Sequence, residues 1–248
     1  MDYAKAAKCA LLSKEVYRQF SPRFRFSPFP DTSPQFIDRT GSTDTQCALV
    51  EAGRELYVIF RGSQQERDWK TNVKFRQAVI EAEIVQKQAQ IDPYSPKSRS
   101  GAKLHRGFGE AYLSVRDELH DAVNAHSDAQ HLVVTGHSLG GALATVCAID
   151  LQYNFSPGRT VEVYSFGAPR VGNGSFRETF NRRLPDSSFR FVYGMDLVPA
   201  VPRLWQGYRH VDEESRLGSR FSWRFLSQRF KDHAISNYVE ALQALAQE

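Results

Sequence analysis

The segment around Ser138 constrains the fold of this chain more than any other part of its sequence. The run GHSLG at 136–140 follows the β-branched stretch HLVVTG at 131–136 and leads into the apolar, helix-like residues 139–153. A Gly-X-Ser-X-Gly run is a weak signal alone, but a strand before it and a helix after it form the setting that a nucleophile elbow requires. The glycines of such a turn leave room where the strand and helix backbones approach. We therefore predict a strained strand–turn–helix unit that exposes the Ser138 hydroxyl above the strand.

Strand-like and helix-like segments alternate through the second half of the chain. The predicted helices cover 107–126, 139–153, 174–183 and the residues after about 234, and the predicted strands cover 131–136, 161–167 and 189–194. This alternation implies right-handed crossovers and a mostly parallel sheet with helices on both faces. The sequence therefore predicts an α/β fold.

The N-terminal part of the chain has a different pattern. Residues 2–20 carry apolar groups at helical spacing, and Asp2 is the predicted N-cap. Two β-type runs at 46–52 and 55–60 are joined by a short Gly-Arg turn, which predicts a hairpin. This hairpin would add antiparallel strands at one edge of the sheet. With no internal repeat, we predict one domain over residues 1–248.

Composition excludes several classes of protein. No stretch approaches the roughly 20 apolar residues of a transmembrane helix, and the first residues lack the apolar block of a signal peptide. We therefore expect a cytoplasmic chain or a secreted chain in its mature form. The net charge of +4 comes without a basic-aromatic nucleic-acid motif, so no nucleic-acid partner is predicted. The three dispersed cysteines match no metal spacing and argue against a disulfide framework.

A serine hydroxyl is a poor nucleophile unless a base removes its proton. After a nucleophile elbow the acid follows the serine along the chain and the histidine follows the acid. The candidates are Asp186, Asp196, Asp212, His210 and His233. Asp196 directly follows the predicted strand 189–194, at its carboxyl end, whereas Asp186 precedes that strand. Spacing favours His233, just before the final helix, over His210, which stands in a predicted short strand.

Several further segments form a recognisable set. They are FRGS at 60–63, HRGF at 105–108, the elbow at 135–144, SFGAPRVGN at 165–173, DLVP at 196–199, GYRH at 207–210, and His233 followed by Tyr238. Together they resemble the class 3 lipase family, the fungal-type triacylglycerol lipases, over about residues 57–240. GAPRVGN beside GHSLGGALA is highly specific for this family. The resemblance implies the α/β-hydrolase fold.

The resemblance also assigns roles to residues of the site. It implies that Ser138, Asp196 and His233 are the catalytic triad, and that the backbone amides of Ser63 and Leu139 form the oxyanion hole. Loss of one such donor typically raises the barrier by about 3–4 kcal/mol. The implied reaction is hydrolysis of a carboxylic ester through an acyl-enzyme on Ser138, and it needs no metal or cofactor.

A lid is implied at about residues 64–79, after the oxyanion residue. It carries Trp69, and Asn72 stands where many relatives have Asp. The lid is unusually charged, with Glu66, Arg67, Asp68, Lys70, Lys74 and Arg76. An apolar lid face suits opening on an oil surface. Because this segment is charged instead, it does not by itself indicate a strict preference for triacylglycerol.

The predicted substrate is a lipid ester, and the first expectation is a triacylglycerol lipase or esterase. A phospholipase A1 or a feruloyl-type esterase would use the same fold and triad. A lipase-like module that binds lipid or a protein partner without turnover is disfavoured because such proteins usually lose a triad member. Peripheral contact with a lipid interface is compatible with all three, and no obligate protein partner is evident.

A second candidate lipid contact lies near the C-terminus. In residues 215–230, Leu217, Phe221 and Phe225 recur at four-residue spacing, with Arg216, Arg220 and Arg224 alongside. This pattern predicts an amphipathic helix that either contacts anionic lipid or packs partly buried with its arginines in water. The second alternative is favoured.

Overall fold

Strands and helices alternate through most of the chain, and the computed structural model describes residues 1–18, 20–40, 43–62, 77–78, 101–156, 158–218 and 231–247. In chain order the elements are α1 (Tyr3–Glu15), β1 (Gln35–Asp38), β2 (Gln46–Ala52), β3 (Glu55–Phe60), β4 (Gln77–Ala78), β5 (Leu104–His105), α2 (Arg106–Ala125), β6 (His131–His137), α3 (Leu139–Phe155), β7 (Thr160–Phe166), β8 (Gly172–Asn173), α4 (Gly174–Arg183), β9 (Ser188–Tyr193), β10 (Tyr208–Arg209), β11 (Glu214–Leu217) and α5 (Ile235–Leu245). Short 3-10 turns cover Val198–Ala200 and Leu204–Gln206.

Seven of these strands form the central sheet, in the order β1-β2-β3-β6-β7-β9-β11. Strands β3, β6, β7, β9 and β11 run parallel, and β1 and β2 add antiparallel pairing at one edge. The short strands β4, β5, β8 and β10 form a second, antiparallel sheet. The predicted parallel sheet with an antiparallel N-terminal edge is thereby confirmed.

Strand β6 shows how the central sheet divides the core. Leu132 and Val134 belong to an apolar cluster with residues of α2, α3 and α4, whereas Val133 belongs to a second cluster with residues of α1 and α5. Successive side chains of a strand point to opposite faces. Because helices cover both faces, the run Leu132–Val134 is apolar on both sides and lacks the polar alternation of a half-exposed strand.

A buried ion pair joins α2 to α3. Asp150 is fully buried and accepts hydrogen bonds from Arg116 Nε and Nη2 at 3.0 Å, from the Tyr112 hydroxyl at 2.5 Å and from His120 Nε2 at 2.6 Å. Burial alone would raise the pKa of this carboxyl. The hydrogen bonds and charges of His120 and Arg116 outweigh burial and hold the pKa below its usual value.

The helices predicted in the second half of the chain are confirmed as α2 to α5. The N-terminal helix also forms, but it ends at Glu15, earlier than its apolar spacing indicated. Its predicted cap is present, since Asp2 Oδ1 accepts a hydrogen bond from the Lys5 amide at 2.9 Å. None of the helices in the described part of the chain is long and apolar enough to cross a membrane.

The prediction of an amphipathic helix over 215–230 is wrong where the structure describes that segment. Glu214–Leu217 form β11, which pairs in parallel with β9, and Leu217 is buried in the core. The Arg216 guanidinium donates to the carbonyl of Gly194 and pairs with Glu214. Pairing with a neighbouring strand therefore decides the conformation against the helical spacing. Arg220, Phe221, Arg224 and Phe225 lie outside the described residues.

Candidate active site

Ser138 lies in a strained turn between β6 and α3. Its backbone has a φ of 57° and a ψ of −126°, which is unfavourable for a residue with a side chain. The glycines on either side are required by contact: a Cβ on Gly136 would lie 2.3 Å from the backbone of Gly140, and one on Gly140 would lie 2.4 Å from the carbonyl oxygen of Phe60. The predicted strained turn is therefore present, but the expected exposure of the Ser138 hydroxyl is wrong, because Ser138 is buried.

The three predicted triad residues meet at this turn. His233 Nε2 lies 2.9 Å from Ser138 Oγ, and His233 Nδ1 lies 2.8 Å from Asp196 Oδ2. Asp196 follows β9, and His233 precedes α5, so a strand of the central sheet and a helix on one of its faces position these two residues. The side chains come from residues that are each 7% exposed. Because a carboxylate only accepts, the proton on His233 is at Nδ1, and Nε2 is free to accept the Ser138 proton.

Asp196 is held by further donors. Its Oδ2 accepts a hydrogen bond from the Tyr238 hydroxyl at 2.5 Å, and its Oδ1 accepts from the amide of Val198 at 2.9 Å. Burial and the neighbouring carboxylate raise the pKa of Tyr238 well above its usual value, so this hydroxyl stays a donor. The sequence motif contained Tyr238 but assigned it no role.

The other candidate acids and bases lie elsewhere. His210 Nε2 donates to the carbonyl oxygen of Pro199 at 2.7 Å, and burial, together with the charge of Arg190, lowers the pKa of His210 to about 3. Asp186 is exposed in the turn before β9, and Asp212 accepts a hydrogen bond from the amide of Glu213. The structure thus brings Asp196 and His233, rather than these residues, into contact with one another and with Ser138.

His137 forms a second set of contacts that the sequence did not predict. Its Nδ1 lies 3.0 Å from the Tyr17 hydroxyl, and its Nε2 lies 2.7 Å from the carbonyl oxygen of His233. Since a carbonyl only accepts, Nε2 carries the proton and Nδ1 accepts from Tyr17. Burial and the charge of His233 lower the pKa of His137 well below its usual value, so it stays neutral. Tyr17 also accepts a hydrogen bond from the Gly62 amide.

The predicted oxyanion donors are described in part. Leu139 is the first residue of α3, so its amide has no acceptor within the helix and lies at the positive end of the helix dipole. Ser63, Trp69 and Asn72 lie outside the described residues. Of the predicted lid at 64–79, the structure describes the backbone of Gln77–Ala78, which pairs with β5.

The described part of the chain offers no metal centre beside this group. Within it, no cluster of three or more His, Cys, Asp or Glu side chains is arranged to hold a metal ion. The chemistry available in this group is that of a hydroxyl, an imidazole and a carboxylate in hydrogen-bond contact. Such a group can activate a serine for attack on a carbonyl carbon.

Comparison with known proteins places these features in context. Residues 57–205, more than half of the chain, match the family model "Lipase (class 3)". A secreted mono- and diacylglycerol lipase 1 from Fusarium solani is 36% identical over 170 residues, which is 67% of this chain and 45% of that protein. The chain thus spans about half the length, or less, of curated relatives such as this one.

Solved structures agree with the fold. The native Rhizomucor miehei lipase propeptide complex has a TM-score of 0.68 at 26% identity, covering 86% of this chain and 68% of that one. A triacylglycerol lipase whose catalytic centre is described as a serine protease triad has a TM-score of 0.70 at 25% identity, covering 87% of this chain and 80% of that one. These likenesses extend beyond the motifs to the sheet and its helices.

Proposed function

Because this chain belongs to the class 3 lipase family and has the α/β-hydrolase fold, we propose that it hydrolyses carboxylic ester bonds in acylglycerol lipids. The observation that carries the proposal is the hydrogen-bonded series Ser138 Oγ, His233 and Asp196 Oδ2. In this proposal Ser138 is the nucleophile, His233 the general base and Asp196 the acid that orients the base. We also propose that a single domain over residues 1–248 carries the site.

The first half of the reaction forms an acyl-enzyme. His233 Nε2 takes the proton from Ser138 as the serine oxygen attacks the ester carbonyl carbon, and Asp196 stabilises the positive imidazole. The carbonyl oxygen becomes an oxyanion, which the amide of Leu139 stabilises as it projects from the N-terminus of α3. The amide of Ser63 is the proposed second donor. His233 then returns its proton to the alcohol oxygen as the carbon–oxygen bond breaks.

The second half of the reaction releases the acid. A water molecule gives a proton to His233 Nε2 as its oxygen attacks the acyl carbon. The tetrahedral intermediate collapses, the bond to Ser138 Oγ breaks, and His233 returns the proton to the serine oxygen. The products are a free alcohol and a carboxylic acid, and the enzyme returns to its starting state without a cofactor.

The acylglycerol assignment has a specific support and a specific rival. Curated relatives are named mono- and diacylglycerol lipases, which favours partial glycerides among the substrates. The charge of residues 64–79 favours a substrate with a polar headgroup, such as a phospholipid cleaved by a phospholipase A1. A feruloyl-type esterase activity has no such observation in its favour. The complete hydrogen-bonded triad disfavours a binding module without turnover.

An ester series tests the proposal. Initial hydrolysis rates would be measured on short-chain p-nitrophenyl esters, emulsified mono-, di- and triacylglycerols and phosphatidylglycerol vesicles, with Ser138→Ala in parallel. We expect the highest specific rates on glycerides and a rate at least about 10⁴-fold lower in the variant. Preference for phospholipid would move the assignment to the rival, and a rate in Ser138→Ala close to that of the parent would overturn the mechanism.

A further inference from the structure

Leu204 and Trp205 form an apolar tip on the protein surface. The two residues are 53% and 77% exposed. Among the described residues, the other exposed large apolar side chains are Met1 and Tyr3, at the N-terminus. A large apolar side chain gains free energy when it leaves water. Two adjacent exposed ones therefore suit contact with an apolar phase.

The 203–209 loop holds this tip in place. The Arg203 amide donates to Gln206 Oε1 at 2.8 Å, the Gly207 amide donates to the Leu204 carbonyl at 3.0 Å, and Arg209 Nη1 donates to the same carbonyl at 2.9 Å. The loop then continues into β10, which pairs with β8. Because the backbone is already ordered, insertion of the side chains costs little conformational entropy.

The charged side chains of the segment that carries the tip are positive. Arg203 and Arg209 are the charged residues between positions 197 and 211 of the sequence. Arg170 lies against the same segment, where its Nη1 donates to the carbonyls of Ala200 at 2.6 Å and Pro202 at 2.7 Å. Burial lowers the pKa of Arg170, and the charges of Arg190 and Arg209 lower it further, although Glu214 opposes them. An apolar tip among guanidinium groups complements a surface that is anionic outside and apolar inside.

The tip belongs to the segment that also carries the proposed acid. At the start of this segment the Val198 amide donates to Asp196 Oδ1. At its end His210 Nε2 donates to the Pro199 carbonyl oxygen, 2.7 Å away. These hydrogen bonds hold the segment from Asp196 to His210 as a closed loop. If the tip binds a lipid surface, the segment that contacts the lipid is the one that supplies Asp196 to the site.

We propose that Leu204 and Trp205 insert into a lipid surface and that Arg203 and Arg209 contact its anionic headgroups. This inference rests on the proposed function, because it supplies the contact that an enzyme needs when its substrate lies in such a surface. Loss of both apolar side chains should weaken vesicle binding by about tenfold or more. Loss of one arginine charge should weaken binding to anionic vesicles by about fivefold.

Vesicle co-flotation tests the anchor without turnover. All proteins would carry Ser138→Ala, so that the lipid stays intact, and vesicles would contain phosphatidylcholine with or without phosphatidylglycerol. The test variants are Leu204→Ser/Trp205→Ser, Trp205→Gln alone and Arg203→Gln. Trp205→Phe keeps an apolar side chain, and Tyr3→Ser removes an exposed aromatic ring away from the tip. We expect binding to fall in the three test variants, with Arg203→Gln affecting only anionic vesicles, and to persist in the two controls.

Active versions of the same variants separate the anchor from folding and from catalysis. With Ser138 present, each should keep the parental melting temperature and hydrolyse a soluble short-chain ester at the parental rate. Equal vesicle binding by parent and Trp205→Gln, or no binding by the parent, would overturn the anchor. So would a Trp205-dependent dimer in sedimentation velocity with unchanged vesicle binding, because the tip would then contact a second copy. Tip-dependent binding without any ester hydrolysis by the parent would instead overturn the proposed function alone.

Discussion

His137 donates a hydrogen bond from Nε2 to the carbonyl oxygen of His233 across 2.7 Å. This bond links the residue before the nucleophile to the backbone of the proposed base, so the elbow and the histidine loop cannot move independently without breaking it. Tyr17 extends the link, because its hydroxyl donates to His137 Nδ1 and accepts from the amide of Gly62. Tyr17, which lies just after α1, therefore helps to position both the elbow and the histidine loop.

Tyr17→Phe should weaken this link. The variant leaves His137 Nδ1 and the Gly62 amide without their partner, which should lower the free energy of unfolding by about 1–3 kcal/mol. Small displacement of His233 should lower kcat by about tenfold, with KM on a soluble ester unchanged. The measurements are steady-state kinetics and urea unfolding.

Tyr164→Phe is the matched control for that change. It also removes a hydroxyl from an aromatic side chain of the core, but that hydroxyl lies 3.4 Å from Glu162, away from the site. We expect parental kcat in the control. Equal kcat in both variants would mean that Tyr17 supports only the fold.

Tyr238→Phe should lower activity through Asp196. The lost hydroxyl donates to Oδ2, the same oxygen that accepts from His233. A hydrogen bond to a charged group contributes roughly 1.5–3 kcal/mol, so kcat should fall by about tenfold or more, with unchanged KM. Rates on a soluble ester would show this. Parental kcat in a folded Tyr238→Phe protein would leave Tyr238 with a packing role.

Local sequence patterns predicted the parts of the molecule that local interactions decide. The elbow was predictable because its glycines and its flanking strand and helix are adjacent in sequence. Strands β1 and β11 were missed because each is a short edge strand with one buried residue, Ile37 or Leu217. Their conformation comes from backbone pairing with β2 and β9 rather than from their own pattern.

The contact between Tyr17 and His137 was not predicted from the sequence, either from local pattern or from resemblance. Tyr17 and His137 are 120 residues apart in sequence, and nothing in either segment indicates the other. The motif GHSLG contains His137, but the motif alone does not say where its side chain goes. One signal was present: His137 is a polar side chain at the end of a predicted buried strand. Such a buried polar group needs a hydrogen-bond partner.

Gly140→Ala should destabilise the elbow. The added Cβ would lie 2.4 Å from the carbonyl oxygen of Phe60, a backbone atom that can move only with β3. We expect a loss of at least about 1–3 kcal/mol of unfolding free energy, with little soluble protein as the extreme case.

Gly174→Ala serves as the comparison, because a Cβ at Gly174 meets no atom within 4 Å. It should be neutral or slightly stabilising, since alanine restricts the unfolded chain. Urea unfolding of both variants measures the difference. Equal stability would contradict the close approach of α3 to the end of β3.

Asp150 should make stability depend on acidic pH. Its folded-state pKa is lowered, so its contribution is fully present above the unfolded value of about 3.9 and is lost as pH falls through the folded value. Asp150→Asn should cost roughly 3–5 kcal/mol at neutral pH, because Arg116 stays buried and keeps only the exposed Asp117, at 3.7 Å, as a counter-charge. The variant should also lose part of the parental decline in stability below about pH 4.

Melting temperatures from neutral to acidic pH would test the Asp150 prediction. Asp121→Asn, an exposed carboxylate on α2, is the control and should follow the parental curve. If Asp150→Asn also followed that curve, the buried pair would have no net effect on folding.

The proposed triad should act as one unit in kinetics. If His233 serves only to move the Ser138 proton, then Ser138→Ala, His233→Ala and the double variant should have the same residual rate, lower than the parent by at least about 10⁴-fold. Independent contributions would instead multiply, and the double variant would be far slower than either single one. Hydrolysis of a soluble p-nitrophenyl ester measures all three, with melting temperatures to show that each is folded. A residual rate in His233→Ala well above that of Ser138→Ala would mean that another group accepts the serine proton, and the neutral, neighbouring His137 would be the first to test.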